Sequence, residues 1–203
     1  MEPADAGLSR AGQDAVALMN ELRILIDLSH CGRRTAADAL AASSAPVAYT
    51  HTGCDAVQAH PRHRTDEEMR RVADGGGVIG IYVMPYLAGG RQPTAADVIA
   101  HLEHAVDVAG EDHVGIGTDG YVSPTVLTDE YREMFAQNIR ERRDSGIAAP
   151  AETETGYLFA SDLNTPRRLE TLAGLLLERG HGEARVEKLL GGNFQRLFET
   201  VWG

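Results

Sequence analysis

The sequence is poor in cysteine, in aromatic residues and in basic charge. Of its 203 residues, two are cysteines and 5% are aromatic. Cys31 and Cys54 form no CxxC pair, which argues against a disulfide framework and predicts reduced thiols. The 19 lysine and arginine residues are outnumbered by 30 aspartate and glutamate residues, so the formal net charge is −11. A surface of this sign repels nucleic acids and anionic membranes, and neither is an expected partner.

Long apolar runs are also absent from the sequence. No stretch approaches the roughly 18 consecutive apolar residues of a membrane span, and residues 1–5 lack the basic and then apolar pattern of a signal peptide. We therefore expect no membrane span and a cytoplasmic location. With 43% apolar and 24% charged residues, the composition predicts an ordinary globular chain, and we expect residues 1–203 to form one domain.

One pattern occurs three times along the chain. A short apolar run ends in a hydroxyl residue and an ionisable residue, and a glycine follows within two positions. The three copies are residues 24–30, 47–51 and 114–119, followed by Gly32, Gly53 and Gly120. Such runs are typical of buried strands, and the helical patterns between them predict a parallel sheet. His30, His51 and Asp119 would then stand at the carboxyl ends of strands, where α/β proteins build their sites.

Helix signals separate these runs. Hydroxyl residues that can cap a helix precede four helical stretches, at Ser9, Thr65, Thr94 and Thr128. A further strand is predicted at 78–84, and closing helices at 183–190 and 194–202, with Asn193 as a cap between them. Residues 144–164 are polar without a clear period, which is typical of a functional lid or a disordered segment.

The predicted order is one helix followed by four strand–helix units. Eight such units close a (β/α)8 barrel in typically about 250 residues. The chain supplies half that number of strands, so the sequence predicts an α/β fold of parallel β/α units. Such a half-barrel leaves the inner face of its sheet and two strand edges uncovered. This predicts a homo-oligomer or association through the exposed sheet.

The two histidines at strand ends suggest a metal site. Neighbouring parallel strands lie about 4.8 Å apart, so imidazoles at the ends of adjacent strands can reach a common ion such as zinc. His30 and His51 have the separation of one strand–helix–strand step. The alternative is that each is a hydrogen-bonded histidine near the end of a sheet.

Asp119 and Arg62 are candidates for the chemistry around such a metal. Aspartate is common in turns, but beside a metal its carboxylate can take a proton from water or hold a ligand histidine in place. Arg62 lies in the basic stretch 60–64, which follows His51. A guanidinium there could grip a substrate carboxylate bidentately, whereas the alternative for the whole stretch is a solvated basic cluster.

Two further histidines lie on the predicted helix after Thr94. His101 and His104 share a helix face with Asp97, opposite the apolar stripe. This arrangement favours a solvent-facing position for both over a metal site.

Four motifs together resemble a known family. They are Ile-Asp-Leu-Ser-His at 26–30, Tyr-Thr-His at 49–51, His-Pro-Arg at 60–62 and Asp-His-Val-Gly-Ile-Gly-Thr-Asp at 112–119. In this order and spacing the chain resembles the membrane dipeptidase (renal dipeptidase, peptidase M19) family along nearly its whole length. The resemblance implies a metal-dependent (β/α)8 barrel of the amidohydrolase type, which binds two zinc ions and hydrolyses dipeptides.

The resemblance also implies roles for individual residues. His30 and His51 match the two histidine ligands of one zinc, Arg62 matches the arginine that binds the substrate carboxylate, and Asp119 matches the site aspartate on the last strand. Only the C-terminal half of the family, strands five to eight of its barrel, has a counterpart here. The family's His-x-Asp pair on the first strand, its bridging glutamate and a further substrate-binding histidine have no match. His63 stands where asparagine is common, and the family's usual Asp-Phe-Asp-Gly after the last strand is changed to Asp119-Gly120-Tyr121.

Three hypotheses follow from the residues and the resemblance. The first is a zinc-dependent dipeptidase whose barrel is completed by other sequence. The second is a catalytically incomplete half-barrel that supplies ligands for one zinc and turns nothing over. The third is a related amidohydrolase that acts on lactams or N-acyl amino acids. An open reading frame before Met1 with a His-x-Asp motif would favour the first over the second, and a substrate panel would separate the first from the third.

Overall fold

A parallel sheet with helices between its strands forms the centre of the molecule. The structure, a computed structural model, describes residues 5–120 and 123–203. Strands β1 (Ala48–Thr52), β2 (Val78–Ile81) and β3 (Val114–Ile116) pair side by side in chain order, and both pairings are parallel. Sequential parallel pairing with helical crossovers is the arrangement of β/α units. The prediction of an α/β fold with a parallel sheet is therefore confirmed.

The predicted first strand is shorter than expected. Residues 26–28 lie beside β1 in the same direction, but the two segments share only an isolated bridge between Asp27 and Ala48. Two backbone bonds make this bridge, from Leu28 N to Ala48 O at 2.8 Å and from Ala48 N to Ile26 O at 3.0 Å. The next amide of β1, Thr50 N, donates to the carboxylate of Asp27 at 3.1 Å. A side chain has thus replaced the backbone acceptor, and the ladder ends there.

Eight α-helices are found in the described residues. They are α1 (Arg10–Glu21), α2 (Arg33–Ala42), α3 (Asp66–Asp74), α4 (Ala95–Ala109), α5 (Asp129–Asp144), α6 (Arg168–Glu178), α7 (Glu183–Glu187) and α8 (Asn193–Trp202). A 3-10 turn at Pro85–Ala88 follows β2, and a π turn at Lys188–Gly192 joins α7 to α8. The four predicted helix starts are confirmed at Ser9, Thr65, Thr94 and Thr128.

The prediction that Asn193 caps α8 is wrong. Asn193 has helical backbone angles and is the first residue of the helix, because the break from α7 falls earlier, at Gly191, whose backbone angles are not helical. Its buried side chain donates instead to the carbonyls of Glu111 and Val114, both at 2.7 Å. Asn193 therefore ties α8 to the start of β3.

The two faces of the sheet pack against different helices. On one face Ile79 belongs to the main core together with Val72 of α3 and Leu102 of α4. On the other face a smaller cluster joins the first residues of β1 and β2 to Leu197 and Val201 of α8. The inner face of the sheet is therefore partly covered, at the amino-terminal ends of its strands. The carboxyl ends, where the candidate site residues lie, are left to the loops.

Apart from Asp144, the last residue of α5, the segment 144–164 contains no helix or strand, yet it packs against the rest of the chain. Tyr157 forms a cluster with Phe135 and Ile139 of α5, and Leu163 lies in the main core. Tyr157 N donates to the side-chain oxygen of Gln92 at 2.9 Å. These contacts fix the segment over the carboxyl ends of the strands. Across the described residues, no helix is long and apolar enough to cross a membrane.

Candidate metal and substrate site

The structure brings His30 and His51 together at the carboxyl end of the sheet. His51 lies on β1, and His30 follows the short segment that pairs with β1. The centroids of the two imidazole rings are 4.9 Å apart. Arg62 and Asp119 flank the pair: Arg62 Nη2 lies 2.9 Å from His30 Nε2, and Asp119 Oδ2 lies 3.9 Å from His51 Nε2. The four predicted site residues thus occupy one place in the fold.

His30 presents an unprotonated Nε2. A guanidinium has only donors, so Arg62 donates and Nε2 of His30 accepts. Partial desolvation, together with the nearby Arg62 and His51, lowers the pKa of His30 below the usual value for histidine. The ring is accordingly neutral and carries a lone pair at Nε2, which is the form that binds metals.

His51 is held at its other ring nitrogen. Its Nδ1 lies 2.8 Å from the hydroxyl oxygen of Thr50, whereas its Nε2 is buried and has no hydrogen-bond partner within the described part of the chain. Buried polar atoms in folded proteins are nearly always satisfied, so an orphaned nitrogen calls for an explanation. A bound ion or substrate group beside Asp119 would satisfy it.

Asp27 organises the backbone below the two histidines. Its carboxylate accepts four hydrogen bonds, from the amide and hydroxyl of Ser29 at 3.0 and 2.5 Å and from the amide and hydroxyl of Thr50 at 3.1 and 2.6 Å. Desolvation opposes ionisation of this carboxyl, but the bonds from Ser29 and Thr50 outweigh it and lower the pKa of Asp27. Sequence reasoning placed Asp27 within a motif without giving it a role. The sequence signal for this role was the hydroxyl residue near the end of each apolar run, because its hydroxyl can donate to a carboxylate.

Asp119 reaches the site from a strained turn. Its φ is +52°, in the left-handed region that aspartate tolerates better than most residues. It borders a cavity of about 220 Å³ that Arg62 also lines. The lining combines apolar side chains with a polar group, namely Tyr86, Arg142 and Glu152. Glu152 accepts from the Tyr86 hydroxyl at 2.9 Å and pairs with Arg142, so the 144–164 segment is anchored at the rim.

The alternative of a solvated basic cluster at 60–64 is wrong for Arg64. Its side chain is 2% exposed and one of its nitrogens donates to the carbonyls of Leu28, Ser29 and Cys31, each at 3.0 Å. These carbonyls lie more than 30 residues earlier in the chain, so local sequence could not reveal them. Arg64 holds the loop that carries His30, and within this stretch Arg62 is the arginine that faces the site.

The prediction of a solvent-facing position for His101 is also wrong. The side chain is fully buried, and its Nδ1 accepts from the amide of Cys54 at 2.9 Å. Burial lowers the pKa of His101 to about 4. His104 lies nearer the surface, where it bonds Asp66 at 2.8 Å. The loop after β1 packs over one turn of α4, which covers His101 and leaves His104 open.

His63 and His60 support the loop after His51. His63 is buried and donates from Nδ1 to the Gln58 carbonyl at 2.6 Å, and burial lowers its pKa to about 3. His60 stacks on Tyr86 with ring centroids 4.5 Å apart and reaches the Pro150 carbonyl at 2.8 Å. The loop that presents Arg62 is thus braced by two neutral rings, one of which contacts the 144–164 segment.

The residues present fit part of a metal site. His30 Nε2 and the orphaned His51 Nε2 are two nitrogen donors in one place. Catalytic zinc normally has three protein ligands, and residues 5–120 and 123–203 contain no group of three or more ligating side chains arranged around one point. Tyr121 lies outside the described residues. The described part of the chain therefore offers two ligands to a metal.

Comparison with known proteins identifies the family. The model of the membrane dipeptidases, peptidase family M19, matches residues 1–141. The chain belongs to this family. The match contains His30, His51, Arg62 and Asp119, the residues that the fold gathers at the carboxyl end of the sheet.

Individual proteins extend the similarity to nearly the whole chain. The dipeptidase tcpJ of Claviceps purpurea is 34% identical over 201 residues, which are 98% of this chain and 40% of that protein. An amidohydrolase from Pseudomonas aeruginosa has a structure 32% identical, with a TM-score of 0.77, over 98% of this chain and 58% of that one. A metallopeptidase from Rhodobacter sphaeroides, solved with a phosphinate mimic of the dipeptide L-Ala-D-Ala, is 25% identical with a TM-score of 0.73; the match covers 97% of this chain and 48% of that one. The chain therefore spans roughly half the length of the proteins it matches.

Proposed function

We propose that this chain forms the half of a zinc-dependent dipeptidase that binds one metal and the substrate carboxylate. The single observation that carries the proposal is the convergence of two imidazoles, a guanidinium and a carboxylate in a member of the membrane dipeptidase family. The two ring centroids are 4.9 Å apart, the guanidinium lies 2.9 Å from His30 and the carboxylate 3.9 Å from His51. Complete activity belongs to a closed (β/α)8 barrel with two zinc ions, for which this chain supplies the ligands of one.

His30 and His51 would hold the metal through their Nε2 atoms. Zinc bound there would polarise the peptide carbonyl and activate a water molecule. Both nitrogens lie at one edge of the sheet, and the Nε2 of His51 is buried with no other partner among the described residues. The rigid strand beneath His51 keeps the donor in place without reorganisation.

Arg62 would bind the free carboxylate of a dipeptide. A planar guanidinium matches a carboxylate bidentately, which a lysine ammonium cannot do. Its position beside His30 sets a fixed distance between the carboxylate and the scissile bond. This distance places the peptide bond before the C-terminal residue, which is the one peptide bond of a dipeptide, at the metal.

Asp119 would act on the proton of the attacking water. Its Oδ2 is 3.9 Å from His51 Nε2, so the carboxylate borders the space in which the metal and the carbonyl would meet. Oδ2 can take a proton from the water and pass it to the leaving amine. The left-handed turn at Asp119 aims the carboxylate at this space.

The experiment compares the chain alone with a completed barrel. We expect the purified chain to bind zinc weakly and to hydrolyse no dipeptide, because two ligands fall short of the usual three. Mixing it with the part of the Pseudomonas aeruginosa amidohydrolase that it does not match should restore zinc binding and release amino acids from dipeptides. A panel of dipeptides, dipeptide amides, lactams and N-acyl amino acids tests the substrate class. Cleavage of lactams or N-acyl amino acids in preference to dipeptides would contradict the proposal, as would completed barrels that bind no zinc.

A further inference from the structure

The hydroxyl of Thr50 lies between the carboxylate of Asp27 and the imidazole of His51. Its oxygen is 2.6 Å from Asp27 Oδ2 and 2.8 Å from His51 Nδ1. Both distances are those of good hydrogen bonds. The three groups therefore form a continuous series of hydrogen bonds that ends at the ring of a candidate metal ligand.

Counting hydrogens fixes which group donates in each hydrogen bond of this series. A hydroxyl has one hydrogen, and an ionised carboxylate has none to give. The hydrogen of Thr50 must therefore go to Asp27, which leaves its oxygen as an acceptor towards His51. Nδ1 of His51 must then carry a hydrogen and donate it. In a neutral ring this leaves Nε2 unprotonated, with its lone pair in the candidate site.

The hydroxyl of Ser29 connects Asp27 to the backbone of His51 in the same way as the hydroxyl of Thr50 connects it to the ring. Its hydroxyl donates to Asp27 Oδ1 at 2.5 Å, and the same oxygen accepts from the amide of His51 at 3.1 Å. Ser29 is buried, so these bonds are not exchanged with water. The main chain and the side chain of His51 are thus both oriented from one carboxylate.

We propose that Asp27 is a positioning residue that acts through Thr50 to hold His51 in its Nδ1-protonated tautomer, so that Nε2 is free to bind the metal. Asp27 itself touches neither metal nor substrate. A carboxylate that orients a ligand histidine is a recurrent feature of metal sites, where it usually contacts the ring directly; here a hydroxyl lies between them. The metal-binding part of this inference depends on the proposed function, whereas the tautomer does not.

Asp27→Asn is the most informative variant because asparagine has the shape of aspartate but reverses the direction of the hydrogen bonds from Asp27 through Thr50 to His51. With the amide oxygen in place of Oδ1, the bonds from Ser29 and from Thr50 N remain. The amide nitrogen in place of Oδ2 is a donor, so the Thr50 oxygen must accept from it. The hydroxyl hydrogen then turns to His51 Nδ1, and the ring must shift its own hydrogen to Nε2.

The test is the nitrogen chemical shifts of His51, measured by NMR at about pH 8, where histidine is usually neutral. Labelled, zinc-free chain is compared with three variants, and a His51→Gln sample assigns the signal. We expect Nδ1–H in the parent chain and in Thr50→Ser, and Nε2–H in Asp27→Asn. Thr50→Val, which lacks the hydroxyl, should lose the preference for Nδ1–H. Zinc affinity should fall roughly 10- to 100-fold in Asp27→Asn, the range for orienting partners of ligand histidines.

A matched control removes another carboxylate that bonds a histidine. Asp66→Asn alters the partner of His104, and the His51 signals should not move. Nε2–H in the parent chain, or an unchanged tautomer in Asp27→Asn, would overturn the proposal whether or not the chain binds zinc. A reversed tautomer in a chain that never binds zinc would sustain the positioning role and contradict the proposed function instead.

Discussion

The guanidinium of Arg62 donates a hydrogen bond to Nε2 of His30, with 2.9 Å between the two nitrogens. This lone pair is the one that a metal would use, so the arginine stands in the place of the ion. Metal binding at His30 would release the guanidinium, which would then be available to a substrate carboxylate. Arg62 and a metal would therefore compete for one nitrogen atom, a relationship that sequence spacing did not predict.

Arg62→Ala should change metal binding and catalysis in opposite directions. Removing a competing donor and a nearby positive charge should raise the zinc affinity of the chain several-fold, as measured by calorimetry. In the completed barrel the same variant should lower kcat/KM roughly ten- to a hundredfold, because a charge-assisted hydrogen bond contributes about 1.5–3 kcal/mol.

Arg70→Ala is the matched control for this variant. Arg70 is an exposed arginine on α3 that pairs with Asp66, and its removal should alter neither quantity. Arg64 is unsuitable, because it is buried and its loss would disturb the loop that carries His30. Equal effects of Arg62→Ala and Arg70→Ala would mean that Arg62 acts only through its positive charge and not through a specific contact with His30 or the substrate.

Stability should fall as the pH drops below about 6.5, the usual pKa of histidine. Burial lowers the pKa of His63 to about 3 and that of His101 to about 4, so both rings stay neutral in the folded chain. In the unfolded chain they take up protons near their usual pKa. The unfolded state then binds more protons, and the stabilisation present above pH 6.5 is lost on acidification. Each ring contributes a slope of up to about 1.4 kcal/mol per pH unit.

Urea unfolding at several pH values between 8 and 5 measures this slope. His101→Asn keeps an acceptor for the Cys54 amide and a donor for the Leu87 carbonyl but cannot titrate. It should lower stability at pH 8 and make the dependence on pH shallower. A parent chain with the same free energy of unfolding at both ends of this range would show that the two rings are protonated while folded.

The helices and the sheet order were predictable because their causes are local. A hydroxyl before an amphipathic stretch marks a helix start whatever the rest of the chain does, and Thr65 and Thr128 cap their helices as expected. Short apolar runs alternating with helices leave few choices besides a sequential parallel sheet. The positions of His30 and His51 at adjacent strand ends follow from that order.

The errors concern polar groups whose partners are distant in sequence. Apolar spacing predicted a full strand at 24–30, but the carboxylate of Asp27 takes the amide of Thr50 that would have extended the ladder. His101 belongs to the polar face of a helix by period, and it is buried because the amide of Cys54 meets its ring. Hydrogen-bond partners across such separations are set by packing, which a helical or strand period does not encode.

Gly117→Ala should destabilise the chain and disturb the candidate site. A β-carbon at Gly117, just after β3, would stand 1.7 Å from the carbonyl oxygen of Thr50, so the backbone of β1 or that of Gly117 would have to move. Overpacking of this kind typically costs about 1–3 kcal/mol. Because Thr50 is the residue that contacts the His51 ring, the variant should also shift the NMR signals of His51.

Gly174→Ala is the control for the same chemical change. Gly174 lies within α6, and a β-carbon there would meet no atom within 4 Å. Alanine should stabilise this helix by about 0.5–1 kcal/mol relative to glycine. Urea unfolding should therefore give changes of opposite sign for the two variants. A loss of stability in both would mean that alanine is disfavoured for a reason other than the close approach at Thr50.

Self-association of the chain should depend on the aromatic side chains of α8. Phe194, Phe198 and Trp202 follow one another at four-residue spacing, and the rings of Phe198 and Trp202 stack with centroids 4.5 Å apart. Trp202 is 54% exposed, and the three aromatic side chains line a depression of about 500 Å³. Exposed apolar patches of this kind mark interaction surfaces, and the aromatic side chains of α8 lie beside a half-covered sheet.

We expect oligomers of the parent chain at micromolar concentration by light scattering, and a shift towards monomer in Trp202→Glu. Val126→Glu, which adds the same charge at another exposed apolar residue, should leave the oligomers intact. The prediction is contradicted if the parent chain remains monomeric. It is also contradicted if Trp202→Glu and Val126→Glu dissociate the oligomers equally.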